Sequence, residues 1–126
     1  MTTAEYKFII PGNPVTKKNS PQIFRNKKTG RPFVSPSDQY KEYEKGAGWF
    51  LKPIGIDYPV NVKCVYYMQT RRKVDLGNLL AATCDILVKY GVLADDNSGI
   101  VVSHDGSRVE HDRENPRVEI EIREAN

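Results

Sequence analysis

The sequence predicts an α+β fold: a single domain over residues 1–126, with a small mixed β-sheet of about four strands and two main helices packed on it. Three observations carry this. Residues 60–68 and 117–123 alternate apolar and polar side chains, the period of a half-buried strand. Residues 76–90 repeat their apolar side chains with the period of a helix. The order strand, helix, strand, helix, strand, strand suits one sheet with helices laid against it, and 126 residues make one core, not two.

Glu5 to Ile10 reads as the first strand, ended by Pro11-Gly12-Asn13-Pro14. A long polar connection follows, Thr16 to Pro36, carrying Lys17, Lys18, Arg25, Lys27, Lys28 and Arg31, with Gly30 suited to a hairpin tip. A loop this long and basic is either a grip for phosphates or a solvated surface. Asn19 and Ser20 carry groups that hydrogen-bond phosphate or metal-bound water. Ser35 or Ser37 caps a helix from Asp38 to about Leu51, with Tyr40, Tyr43, Ala47 and Phe50 on one face. Gly46 and Gly48 weaken that helix and shorten or bend it.

Val60 to Met68 is the second strand, with Val60, Val62, Cys64, Tyr66 and Met68 on one face. The main helix follows. Leu76, Leu79, Leu80, Ile86, Leu87 and Tyr90 share one face, and Asn78, Asp85 and Lys89 form a polar stripe with Ala82 in its middle. Asp75 is its N-cap and Gly91 its C′ residue. Ile100 to Ser103 starts a third strand, His104–Ser107 is a bulge or turn, and Val109 resumes the strand. Asp112–Pro116 makes a hairpin connection to Arg117–Arg123.

No long uncharged apolar run exists, which excludes a membrane-spanning helix, and the start lacks the pattern of a secretory leader. A cytoplasmic protein is expected, with Cys64 and Cys84 a reduced, buried pair. Neither a C-x-x-C nor an H-x-x-x-H spacing supports zinc. His104 and His111 lack an evident partner and read as structural or surface groups. Asp95-x-Asn97-x-Gly99 lacks the closing acid of a calcium loop. The net charge is +3, but residues 1–73 hold 14 Lys/Arg against 5 Asp/Glu, and the remainder 5 against 11. That asymmetry points to a basic surface for a polyanion beside an acidic centre, unless folding intermixes the charges.

The chemistry centres on Arg71 to Val102. An Asp at a helix start and an Asp-Asp turn are each ordinary alone. A helix from Asn78 to Tyr90 rises roughly 18 Å. The five steps from Gly91 to Asp96 span at most roughly 17 Å. A chain that doubles straight back therefore brings Asp96 close to Asp75. Carboxylates gathered in this way suit Mg²⁺, or Mn²⁺, shared with a phosphate. The expected site is metal-dependent and cleaves phosphodiesters. Asp75 and Asp96 hold the metal, and Asp95 is a further ligand or a base. Lys17, Lys18, Asn19, Arg71, Arg72 and Lys73 are expected to hold a nucleic-acid backbone.

This stretch resembles the RusA family of Holliday junction resolvases. The matching residues are Arg71-Arg72-Lys73, Asp75-Leu76-Gly77-Asn78, Asp85, Gly91 and Asp95-Asp96, with Pro11-Gly12-Asn13-Pro14-Val15-Thr16-Lys17-Lys18-Asn19 similar to the family's start. The resemblance implies a Mg²⁺-dependent endonuclease that resolves four-way DNA junctions in recombination and repair. It implies a homodimer cutting matching strands in pairs, in a bacterium or prophage. Two positions depart. The family's second metal-binding Asp is Gly77, and the Lys of the first helical turn is Ala81. The alternative is a branched-DNA-binding module whose catalysis has weakened or lapsed. A side chain at position 77 is expected to stand beside Asp75 only if residues 75–77 are extended and the helix starts near Asn78.

Overall fold

A computed structural model describes residues 5–17, 22–25, 32–35 and 38–125. The strands are β1 (Glu5–Pro11), β2 (Gln22–Arg25), β3 (Pro32–Ser35), β4 (Val60–Met68), β5 (Val101–Ser103), β6 (Arg108–His111) and β7 (Arg117–Glu124). The helices are α1 (Asp38–Ala47) and α2 (Leu76–Lys89). Five strands form one mixed sheet, and β2 pairs with β3 in a separate antiparallel ribbon. The α+β class is as expected, with the main sheet one strand larger.

β7 lies between β1 and β4, antiparallel to both. The other edge of β4 takes two short parallel partners, β5 beside its start and β6 beside its end. Asp112–Pro116 is therefore no hairpin turn: β6 and β7 flank β4 on opposite sides. The connection arches over the end of β4, where Asp112 N donates to Met68 O at 2.9 Å. Two alternating runs joined by a turn look alike whether they pair with each other or with a third strand between them. Arg117 braces the arch, pairing with Asp112 at 3.0 Å and Glu119 at 2.7 Å, its guanidinium 3.9 Å from the Tyr67 ring centroid.

Residues 104–107 break the β5–β6 edge as a stitched bulge. Asn61 Oδ1 accepts from Ser103 Oγ at 2.5 Å and from Asp105 N at 2.8 Å. Cys64 N donates to Ser107 Oγ at 3.0 Å. His104 Nδ1 meets Val62 O at 2.8 Å, so the ring donates there and its role is structural.

The core lies on one face of the sheet. Val60, Val62, Cys64, Tyr66 and Met68 of β4 are buried with Val118, Ile120 and Ile122 of β7 and with Leu79, Ile86 and Leu87 of α2. Thr83 Oγ1 donates to Leu79 O at 2.9 Å, leaving its lone pair for the Tyr66 hydroxyl at 2.7 Å. Both cysteines are free and buried, and burial pushes each thiol up to about 12. Among the described residues no helix is long and apolar enough to cross a membrane.

α1 ends at Ala47 and tightens into a 3-10 turn over Gly48–Phe50. Phe50, expected on the buried face, is therefore 48% exposed. Gly48 has a packing reason: a Cβ there would lie 2.5 Å from the Tyr90 ring. Tyr90 Oη donates to Glu44 O at 2.9 Å, and Lys89 pairs with Glu44 at 2.6 Å. These contacts fasten the end of α1 to the end of α2.

Candidate active site

β4 delivers the chain through Gln69–Val74 to the mouth of α2. Gln69 N donates to Asn13 Oδ1 at 2.9 Å, tying this turn to the segment after β1. Arg71, Arg72 and Lys73 are exposed beyond it. A recess of about 330 Å³ is lined by Asn13, Gln39, Thr70, Arg72 and Lys73. A second, of about 370 Å³, is lined by Thr70, Arg71, Arg72, Val109, Glu110 and His111. Arg72 thus borders two polar recesses, and Asn13 and Thr70 belong to a surface that the sequence reading assigned to Asn19 and the cations. The Asn13 signal lay in Pro-Gly-Asn-Pro, which read as a strand stop and as similar to the family's start, with no role given to Asn13 itself.

Asp75 caps α2 from an extended conformation (φ −87°, ψ 115°), and its Oδ1 accepts from Asn78 N at 3.1 Å. α2 begins at Leu76, so Gly77 sits in the first turn and the extended 75–77 stretch is not formed. A capping side chain folds back over the turn it caps. A Cβ on Gly77 would accordingly lie 3.1 Å from Asp75 Oδ1. The two positions are neighbours, though on a different backbone from the one expected.

Further along α2, Thr16 and Lys17 cross the polar stripe, and Ala82 in its middle is buried. Lys17 Nζ pairs with Asp85 Oδ2 at 3.3 Å and lies 5.5 Å from the Tyr40 ring centroid. Thr16, Lys17, Asn78, Ala81, Ala82 and Asp85 line a recess of about 140 Å³. Lys17 therefore stands on the stripe whose upper end is Asp75. Lys18 and Asn19 lie outside the described residues.

Asp95 and Asp96 are exposed at the start of the turn before β5. Asp95 Oδ1 accepts from Asp96 N at 2.7 Å and Oδ2 from Asn97 Nδ2 at 3.0 Å. The backbone bond from Asp96, then the Asn97 amide, holds the Asp95 carboxyl below the usual range. The Asp96 charge reaches Cys84, where it adds to burial in raising the thiol. Cys84 is nine residues past Asp75, about 13 Å of helix rise. Among the described residues, no three His, Cys, Asp or Glu side chains gather as a metal-holding group. The donors are hard carboxylate oxygens. Mg²⁺ commonly takes one or two carboxylates, its waters and a substrate phosphate, and these exposed groups fit such a sparse site.

Two comparisons bear on this arrangement. Residues 11–123 match the family described as endodeoxyribonuclease RusA. The crossover junction endodeoxyribonuclease RusA of Aquifex aeolicus (strain VF5) is 31% identical over 120 residues, covering 92% of this chain and 90% of that protein. The match runs through the β4–α2 turn, the Asp75 cap and the Asp95-Asp96 turn alike, and the chain belongs to the RusA family of endodeoxyribonucleases.

Proposed function

We propose that this chain is a Mg²⁺-dependent endonuclease that resolves four-way DNA junctions, acting as a homodimer that cuts matching strands in pairs. The observation that carries the reading is the junction of β4 and α2, where Arg71, Arg72 and Lys73 surround polar recesses directly before the Asp75 cap. Family membership supplies the reaction, hydrolysis of DNA phosphodiesters. The substrate class follows from the name of the Aquifex relative.

The three cations and Asn13 hold the DNA backbone and set its register, since phosphate contacts position without reading sequence. Asp75 and Asp96 are the residues that would hold Mg²⁺, with Asp95 as a further ligand or a base, and Mn²⁺ is acceptable to the same oxygens. Bound there, the metal supplies an acidified water and neutralises charge on the phosphate. Asp75 keeps one oxygen on the α2 cap and has its other oxygen for this work. A two-fold dimer matches the two-fold symmetry of a junction, which accounts for paired cuts.

The test is cleavage of a synthetic four-way junction in Mg²⁺ and in EDTA, with binding followed separately by gel shift in Ca²⁺. The parent cuts only with Mg²⁺. Asp96→Asn binds as well or better, because a charge that repels phosphate is gone, but does not cut. A variant that cuts at the parent rate would remove Asp96 from the site and end this reading. One observation favours a second reading, a junction-binding module with lapsed catalysis: the position beside Asp75 is occupied by Gly77. That reading predicts gel shift without cleavage at every Mg²⁺ and Mn²⁺ concentration.

A further inference from the structure

We infer that Trp49 and Phe50 form a base-stacking element that takes unpaired or unstacked bases at the branch of the DNA, an inference that rests on the junction-binding reading above. Trp49 is 87% exposed and Phe50 48% exposed. A lone exposed apolar side chain is ordinary on a folded surface, whereas adjacent large ones that form a patch are informative. These two are adjacent, and they sit at the crest of a 3-10 turn whose flanks are anchored: Ala47 before it and Leu51 after it are buried.

The turn is firmly mounted. The Gly48 α-carbon rests on the Tyr90 ring, so closely that a Cβ would be 2.5 Å from it. Tyr90 Oη donates to Glu44 O at 2.9 Å, and Lys89 is paired with Glu44 at 2.6 Å. Leu51 N closes the turn on Gly48 O at 3.4 Å. The aromatic tip therefore projects from the packed ends of two helices. It stands at the end of α2 from which the chain departs towards Asp95 and Asp96.

The flanking charge favours the occupant. Lys45 and Lys52 lie one on each side of the aromatic pair in the chain, and both are exposed; of the acids just beyond them, Glu44 is paired with Lys89 and Asp57 is exposed. Aromatic rings interleaved with cations suit single-stranded or splayed nucleic acid, where the rings stack on bases and the cations follow phosphates. A second copy of the chain would bring the same two cations against themselves at a symmetric contact, which disfavours it as the occupant. Paired duplex offers no free base face, so this element discriminates branched from linear DNA.

Trp49 is the only tryptophan of the chain, which makes it its own reporter. The full-length protein is titrated in Ca²⁺ with a four-way junction and with a linear duplex of equal length, while emission, acrylamide quenching and gel shift are followed in parallel. The expected result is strong quenching of emission and loss of acrylamide access on junction binding, with little change on duplex. Trp49→Ala weakens junction binding roughly tenfold or more, and Trp49→Phe restores most of it. Circular dichroism confirms that both variants fold. Junction binding by gel shift with unchanged emission, or with affinity unaltered by Trp49→Ala, overturns the stacking role and leaves the junction reading standing. A blue shift that grows with protein concentration without DNA assigns the tip to a second copy and also overturns it. Absence of any parent gel shift overturns the junction reading and this inference together.

Discussion

The α-carbon of Gly77 faces the Asp75 carboxylate, so that a Cβ there would lie 3.1 Å from Asp75 Oδ1. An added carboxylate at position 77 therefore lands beside the first, at a helix N-terminus that favours negative charge. Gly77→Asp is expected to tighten Mg²⁺ binding and to raise junction cleavage at limiting metal. Asp75 must shift by a few tenths of an ångström to admit the new side chain. A tenfold gain in affinity adds about 1.4 kcal/mol of stability at saturating metal. Thermal melts with and without Mg²⁺ read this apart from activity. If the variant gains no extra stabilisation from Mg²⁺ and cuts more slowly at every metal concentration, Gly77 is there for the room it leaves Asp75.

Asp75 does two jobs that substitution separates. Asp75→Ala removes the side-chain acceptor of Asn78 N, a loss of about 1 kcal/mol. Asp75→Ser keeps a cap oxygen and holds stability within a few tenths of that value of the parent. Both variants lose cleavage, because neither has a carboxylate. Urea melts of the pair, set against junction cleavage, check it. Cleavage by Asp75→Ser at the parent rate would leave Asp75 a cap and nothing more.

Arg71 and Arg72 are exposed; Arg72 borders both recesses and Arg71 one of them. Each phosphate contact contributes about 0.9 to the slope of log affinity against log salt. Replacing both by Gln is expected to weaken junction binding and lower that slope by about 2. Gel shifts across a salt series measure it. An unchanged slope places the DNA on another face.

Acid should loosen the arch over β4. The Arg117 hydrogen bond first, then backbone bonds from Asn115 and Glu114, hold the Asp112 carboxyl below its ordinary value of 3.8. A depressed folded value means that the contribution is fully present above 3.8 and is lost as pH falls through the folded value. Asp112→Asn should therefore lower the melting temperature near neutrality and flatten its decline below pH 4. Melting curves from pH 6 to pH 2.5 check this. Parallel declines in parent and variant would remove Asp112 as a contributor.

What the sequence made legible was local. α2 was readable because its period, the Asp75 cap and the Gly91 stop all lie within one stretch, and Gly91 does take the left-handed φ of +75°. Strands β4 and β7 were readable because each is buried on one face. Gly48 read as a helix weakener because its reason is a ring 42 residues away. The arch from β6 to β7 read as a hairpin because nothing in Asp112–Pro116 records the strand between them. At the candidate site, residue types and their spacing singled out the carboxylates and cations as candidates. How they are arranged depends on where α2 sits against the sheet, and on Asn13 reaching Gln69 across the turn.

The hydroxyl pair of Tyr66 and Thr83 works as a key in a shaft. Successive helical residues are separated by about 100° of rotation. A slip of α2 by one position would carry Thr83, still bonded to Leu79 O of its own helix, away from the ring and cost the buried Tyr66 hydroxyl its Thr83 partner. The azimuth of α2 is thereby fixed from inside the protein, by a bond that bulk salt does not screen. Asn78, Ala81 and Asp85 therefore keep facing the recess that they line. A candidate surface made of sparse, exposed groups holds its bearing because the helix that carries it cannot turn.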